Sequence, residues 1–260
     1  MCLLFFSYDN HPAYRLILAA NRDEFFNRPT APMAFWDDAP NLLAGRDLEA
    51  GGTWMGTSRL NQTGGRLAAI TNFREIKYKM PDALSRGYLV SDFLKGTDTA
   101  AVYAEDIRSR ASEYSGFNLI VFDGADLIFF SNRENIIHAV KPGIYGLCNH
   151  LLDTPWPKVQ KGKQVLKPVF ESGEPDMDEI FHILSDQSRS PDHLLPDTGV
   201  GLDWERMLSP IFVTSPIYGT RSSSVVMIKK NGEIMIAERT FFMKNGRVET
   251  GETRKFQIKI

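Results

Sequence analysis

Short apolar runs joined by short polar turns restrict this chain to antiparallel strand pairing. The clearest case is Asn231-Gly232, which lies between apolar-rich runs at 223–229 and 233–238 and is typical of a tight hairpin. Asp123-Gly124-Ala125-Asp126 separates another such pair of runs. Because parallel neighbours need a long crossover between them, these turns predict antiparallel sheets.

The remaining pattern predicts an α+β fold, and the length of 260 residues leaves one large domain or two small ones open. Residues 27–65 are rich in Pro, Gly, Asp and Asn, which predicts mostly loop with short strands and a turn at Thr63-Gly64-Gly65. Two sheets with helices on their outer faces is the simplest packing of this element order. Further strands are predicted at 2–6, 15–20, 67–72, 116–122, 127–130, 144–149 and 256–260, and helices at 83–94, 99–114, 157–171 and 176–185.

Composition removes several classes of function. The 30 Lys and Arg balance 32 Asp and Glu, for a net charge of -2, so no basic footprint for nucleic acid is expected. The apolar run at the start ends after a few residues and no run approaches a membrane span, which predicts a cytoplasmic protein without an integral membrane segment. Two cysteines and no metal-binding spacing predict neither a disulfide framework nor a metal site. The oligomeric state is left open.

The first candidate for chemistry is Cys2. Aminopeptidases remove an initial methionine when the second residue is small, and this step would place a thiol and a free α-amine on one residue. The amine, with an ordinary pKa of about 7.7–8.0, accepts a proton near neutral pH, so Cys2 would supply nucleophile and base together. A small buried cysteine on a core strand is the simpler explanation of Cys2 taken alone.

Four consecutive polar residues, Asn21-Arg22-Asp23-Glu24, follow the apolar run LILAA and are expected where a strand ends. An arginine in a cleft can hold a thiolate or a substrate carboxylate, and an aspartate can orient an α-ammonium group. A salt-bridged surface turn is the alternative.

Five motifs occur in order along the chain: MC at the start, ANRDE at 20–24, GGTWMG at 51–56, ITNFRE at 70–75 and YGTRSS at 218–223. Together they resemble the NRDE family, which includes the transport and Golgi organization protein 2 homologues. The resemblance covers nearly the whole chain and implies a single domain over residues 1–260.

The NRDE family is in turn similar to N-terminal-nucleophile (Ntn) hydrolases of the conjugated bile acid hydrolase and penicillin V acylase type. This similarity implies a four-layer αββα sandwich of two antiparallel sheets, with Cys2 as nucleophile and Arg22 and Asp23 beside it. In those hydrolases the arginine and aspartate are a few residues apart, whereas here they are adjacent. Their individual roles are therefore left open.

The same similarity implies catalytic roles for three further residues. Asn72 and Asn149 each end an apolar run and are expected to bind the oxyanion of a tetrahedral intermediate or to position the acyl group. Arg221 resembles the late arginine of the hydrolases. Strand capping for the asparagines and a surface hairpin for the arginine are the alternatives.

Two functional hypotheses follow. In the first, the chain is an Ntn hydrolase that uses Cys2, without a cofactor, to cleave or transfer an amide-linked acyl group of a small molecule. In the second, it is a non-catalytic binding or trafficking protein for haem or another amphipathic ligand on the same fold, because a fold does not fix a function.

Overall fold

The computed structural model describes residues 2–59, 65–75 and 82–259, which form two antiparallel sheets and five α-helices. The first sheet has the strand order β10-β1-β2-β11-β12-β13, and the second runs β3 to β9 in sequence order. The strands are β1 Cys2–Tyr8, β2 Tyr14–Phe25, β3 Thr30–Trp36, β4 Ala39–Asp47, β5 Met55–Ser58, β6 Arg66–Asn72, β7 Phe117–Phe122, β8 Leu127–Ser131, β9 Ile136–Ala139, β10 Gly143–Leu147, β11 Tyr218–Lys229, β12 Ile234–Lys244 and β13 Arg247–Ile258.

Helices cover the outer face of each sheet, which gives the four layers of an αββα sandwich. Helices α1 (Gly87–Lys95) and α2 (Ala100–Ser109) pack on the second sheet, and α3 (Pro157–Phe170) and α4 (Met177–Leu184) pack on the first. A short α5 (Leu202–Leu208) follows α4. Three apolar clusters fill the spaces between successive layers. The predicted α+β class is confirmed, and among the described residues no helix is long and apolar enough to span a membrane.

Both predicted hairpin turns are present. Strands β11 and β12 pair antiparallel around Asn231-Gly232, with Gly232 at a φ of 89° that glycine adopts without steric cost. Strands β7 and β8 pair around Asp123-Gly124-Ala125-Asp126. There the Asp123 carboxylate accepts from the backbone N–H groups of Ala125 and Asp126, at 3.0 and 2.9 Å, and fixes the turn.

The prediction that a strand ends before Asn21-Arg22-Asp23-Glu24 is wrong, because β2 continues through all four residues to Phe25. β2 is an inner strand of its sheet and is paired on both sides, to β1 and to β11. The hydrogen bonds of these two ladders pair the backbone groups of the polar residues. Because side chains alternate along a strand, consecutive polar side chains point to opposite faces of the sheet.

Residues 27–65 were predicted to be mostly loop with short strands, and the strands β3, β4 and β5 occupy more of this range than expected. The strands lie at one edge of the second sheet, where half-buried positions need few apolar residues. The turn predicted at Thr63-Gly64-Gly65 and the last residue of the predicted strand 256–260 lie outside the described residues, apart from Gly65 itself. The other predicted elements are present with shifted ends; β9 and α5 were not predicted.

Candidate active site

Cys2 lies at the start of β1 on the face that points toward the second sheet. It pairs across the strands with Arg22, and because directly opposed residues share a face, their side chains are neighbours. A pocket of about 370 Å³ opens at this end of the sandwich. It is lined by Cys2, Arg22, Asp23, Glu24, Arg28, Asp47, Ala50, Thr53, Trp54, Ile70, Asn72, Ala83, Leu84, Ser85, Arg86, Gly87 and Ser115.

Arg22 is held in place by contacts on several sides. Its guanidinium carbon lies 4.2 Å from the centroid of the Trp54 ring, and its Nη1 donates to Thr30 Oγ1 at 3.3 Å. The nearest carboxylate oxygen, on Glu24, is 3.9 Å away. The side chain is 5% exposed, so its charge acts on the pocket with little screening by solvent.

Two glycines, Gly45 and also Gly52 of the GGTWMG motif, allow close packing around Trp54 and the pocket. A Cβ on Gly45 would overlap the Trp54 ring, so this glycine makes room for the stack on Arg22. A Cβ on Gly52 would lie 2.5 Å from the carbonyl carbon of Gly87, and the Thr53 N–H donates to the Gly87 carbonyl at 3.2 Å. Close backbone approach therefore brings the segment before α1 over the pocket.

Asp23 points to the opposite face of β2 from Arg22, toward the layer of α3 and α4. Its Oδ1 accepts from Thr220 Oγ1 at 2.8 Å, and its backbone carbonyl accepts from the Tyr218 hydroxyl at 3.0 Å. Burial raises the pKa of this carboxyl, and the charge of the nearby Lys158 opposes the rise.

Asn72 lines the pocket, whereas Asn149 is not among the lining residues and lies behind it, 1% exposed. The Asn149 amide donates from Nδ2 to the Asn72 carbonyl at 3.0 Å and accepts at Oδ1 from Arg74 Nη2 at 3.3 Å and from Cys148 Sγ at 3.2 Å. Asn149 thus supports Asn72 from behind. Its role at an oxyanion stays a prediction.

Arg221 lies in a different pocket, on the far side of Arg22. Its Nη1 donates to the carbonyls of Phe25 and Arg28, at 2.8 and 3.1 Å. The structure therefore brings Cys2, Arg22, Asp23 and Asn72 to one pocket, while Asn149 and Arg221 lie outside its lining. The catalytic roles of all six stay predictions.

Arg86 is a pocket residue that sequence reasoning missed. It lies just before α1, and its Nη1 donates to the Gly116 carbonyl at 2.9 Å. Burial lowers the pKa of the guanidinium, and the nearby Cys2 and Glu24 oppose that change. In the sequence, the Gly51-Gly52 pair was the signal that could have indicated this residue. Gly52 allows the close backbone contact with Gly87, which follows Arg86 directly.

The Cys2 thiol is held in its neutral form in the chain that retains Met1. Burial raises the thiol pKa to about 11, against the opposing charge of Arg22. Among the described residues, no three His, Cys, Asp or Glu side chains are grouped to hold a metal ion. The pocket is therefore lined by a neutral thiol when Met1 is retained.

This pKa gives a direct prediction for alkylation. With Met1 in place, the thiolate fraction at pH 7 is about 10⁻⁴, so iodoacetamide should modify Cys2 slowly, about tenfold faster for each pH unit gained. Peptide mass spectrometry separates Cys2 from the buried Cys148. A Cys2 rate that levels off below pH 9 would contradict the raised pKa.

Comparison with known proteins identifies the family. The sequence model of the family described as Transport and Golgi organisation 2 matches residues 1–243. The chain belongs to this family. All six predicted site residues fall inside the matched span.

Members of the Transport and Golgi organisation 2 family are similar to this chain over almost their full length. The Transport and Golgi organization 2 homolog of Mus musculus is 37% identical over 268 residues, covering 94% of this chain and 95% of its own. The Homo sapiens homolog is 36% identical, covering 99% of both chains. The Drosophila melanogaster protein is 29% identical, covering 99% of this chain and 97% of its own.

Proposed function

We propose that this member of the Transport and Golgi organisation 2 family is an N-terminal-nucleophile hydrolase that cleaves an amide-linked acyl group of a small molecule. The observation that carries the proposal is the pairing of Cys2 with Arg22 on one face of the sheet, at the floor of a pocket of about 370 Å³. The guanidinium favours the thiolate, and a base next to Cys2 is needed to overcome the effect of burial on the thiol pKa.

The reaction proceeds through a thioester. Cys2 Sγ forms a bond to the acyl carbon while the thiol proton passes to the α-amine of Cys2, once Met1 has been removed. The same amine then protonates the departing nitrogen as the C–N bond breaks. Water attacks the thioester carbonyl, giving the free acid and restoring the thiol.

Other pocket residues stabilise the charged groups that this mechanism produces. Asn72 donates to the oxyanion, and a donor of this kind contributes about 3–4 kcal/mol in other acyl-transfer enzymes. Arg22 and Arg86 stabilise the thiolate and orient an acyl group between the two sheets. Asp23 orients the released α-ammonium group.

The experiment that tests this proposal compares two forms of the protein that differ only in their first residue. The protein is produced with a removable extension, and one cut leaves Cys2 first while a matched cut leaves Met1 first. We expect release of 4-nitroaniline from acyl-4-nitroanilides only after the first cut, because only that protein has the α-amine base. Equal rates for both products would overturn the proposed role of the amine.

The alternative function is binding of haem or another amphipathic ligand without turnover. The raised pKa of the Cys2 thiol favours it for the chain that retains Met1, since a neutral thiol without an adjacent amine is a poor nucleophile. Haem titration of wild-type and Cys2→Ala proteins tests this alternative, and unchanged haem spectra at micromolar concentration would count against it.

A further inference from the structure

A second pocket, here called the Glu238 pocket, lies between the two sheets on the far side of Arg22 and Trp54. Its volume is about 180 Å³. It shares those two residues with the Cys2 pocket, so their stack forms the partition between the pockets. The lining residues on which the argument rests are Arg22, Trp54, Arg221, Ser222, Glu238 and Phe241.

Buried polar atoms without partners are concentrated here. In the part of the chain that the structure describes, six buried side-chain nitrogen or oxygen atoms make no hydrogen bond, and three of them belong to lining residues of this pocket. They are Arg221 Nε, Ser222 Oγ and Glu238 Oε1. Buried polar atoms are normally paired, so such a cluster indicates a group that is still to be bound.

Glu238 is the deepest of the three, at 1% exposed. Its Oε2 accepts from the Met33 N–H at 2.6 Å, which leaves Oε1 for the pocket. Burial raises the pKa of this carboxyl, opposed by the Met33 N–H, by the Ser222 hydroxyl and by the charges of Arg22 and Arg254. The Ser222 hydroxyl is close enough to Glu238 to lower the pKa of its carboxyl, but the positions of the two groups do not meet the geometric criteria of a hydrogen bond. A proton on Oε1 turns this carboxyl into a donor.

Arg221 supplies a positive charge with no acidic partner. Its Nη1 is used by two backbone carbonyls, and no carboxylate among the described residues lies within ion-pair distance of it. The residues outside the description, at 1, 60–64, 76–81 and 260, include no Asp or Glu side chain. Burial and the neighbouring Arg22 both lower its pKa, and the charge of Glu24, which lies beyond ion-pair distance, only partly opposes this change.

We propose that the Glu238 pocket binds a small monocarboxylate, whose oxygens accept from Arg221 Nε, Ser222 Oγ and Glu238 Oε1. The apolar part of the ligand packs against the Trp54 and Phe241 rings. Water would satisfy the same hydrogen bonds, but it would leave Arg221 without an anion in direct contact, since Glu24 acts only from beyond ion-pair distance. The inference does not rest on the hydrolase proposal, since it involves no turnover.

The proposal requires a particular pH dependence. Ionised Glu238 would repel the bound anion, so binding takes up a proton, and affinity falls as pH rises through the pKa of Glu238, by up to about tenfold per pH unit. The other charged groups facing Glu238 are Arg22, Arg221 and Arg254. Arginine side chains do not lose their proton near neutral pH, which leaves Glu238 as the group whose charge changes.

The test uses 4-fluorobenzoate as the probe, followed by ¹⁹F NMR at pH 6 and pH 8. We expect saturable binding to the wild-type protein that weakens at pH 8, and at least tenfold weaker binding to Arg221→Gln. Glu238→Gln keeps a donor at this position, so it should bind at both pH values with equal affinity. Arg239→Gln is the matched control with unchanged binding, because Arg239 lies on the other face of β12, over Phe181.

Several results would overturn the proposal. These are equal binding of 4-fluorobenzamide, undiminished binding to Arg221→Gln, or a loss of binding in Arg86→Gln instead, which would place the anion in the Cys2 pocket. Melting temperatures of each variant show whether it folds. If Arg221→Gln does not fold, the loss of pH dependence in Glu238→Gln decides the question alone, and persistence of that dependence would refute the assignment.

Discussion

Replacing Cys2 with alanine is expected to reduce amide hydrolysis by about 10⁴-fold or more while leaving the fold intact. The size of the effect follows from the proposed mechanism, in which the sulfur forms a covalent bond to the acyl carbon. Without it, the pocket retains only the oxyanion donor and its binding contacts, which give a small residual rate.

The same change should cost little stability. Cys2 lies at the start of β1 and is half-buried, so alanine removes one sulfur atom from a site that borders the pocket. We expect a loss of about 1 kcal/mol or less. Turnover of acyl-4-nitroanilides and urea unfolding, measured on the same preparation, separate the two effects.

Cys148→Ser is the matched control for thiol loss. Cys148 is buried outside the pocket lining and donates to Asn149, a contact that a serine hydroxyl also makes. This variant should keep its turnover. Full turnover by Cys2→Ala would eliminate Cys2 as nucleophile, and an absence of turnover in every protein with a free Cys2 amine would favour the ligand-binding alternative.

Local signals predicted the sheets but not the extent of β2. The turns at Asn231-Gly232 and Asp123–Asp126 determine their hairpins from a few neighbouring residues, so they were visible in the sequence. By contrast, β2 continues through Asn21-Arg22-Asp23-Glu24 because β11, about two hundred residues away, pairs with all four, whereas β1 pairs only as far as Arg22. No local sequence pattern indicates which strand will pair with β2 when that strand lies so far along the chain.

The same distinction applies to the candidate site. Cys2 and Arg22 lie on or next to strands that the sequence predicts at 2–6 and 15–20, whereas Arg86 reaches the pocket through contact between Gly52 and Gly87. Arg221 lies beyond the Arg22–Trp54 stack because a bulge in the pairing of β11 with β2 falls between Thr220 and Ser222. Such irregularities change the direction in which a side chain points, and no pattern of residue types in the sequence indicates them.

Breaking the buried ion pair between Arg74 and Glu205 is expected to give the largest loss of stability in the molecule outside the apolar core. Arg74 Nη1 donates to Glu205 Oε2 at 2.6 Å, and the two side chains are 5% and 4% exposed. Glu205 Oε1 also accepts from the N–H and hydroxyl of Thr198, at 3.1 and 2.5 Å. The pair thus ties α5 and the segment before it to the strand end that carries Asn72.

Glu205→Ala leaves the Arg74 guanidinium buried without its counter-charge. We expect the free energy of unfolding to fall by about 3–5 kcal/mol, because an uncompensated buried charge costs more than the pair contributes. The double variant Arg74→Met/Glu205→Leu, which removes both charges and keeps apolar volume, should recover much of this loss.

Urea unfolding of these variants, followed by circular dichroism, measures the effect. Arg206→Gln is the matched control on the same helix, since its ion pairs with Asp192 and Asp203 are exposed and should contribute almost nothing. A loss below about 1 kcal/mol for Glu205→Ala would show that Arg74 finds water or another partner. If the double variant were less stable than Glu205→Ala, the hydrogen bond from Arg74 to Asn149 would be the dominant contribution, and the ion pair would matter mainly by holding Asn149 behind the Cys2 pocket.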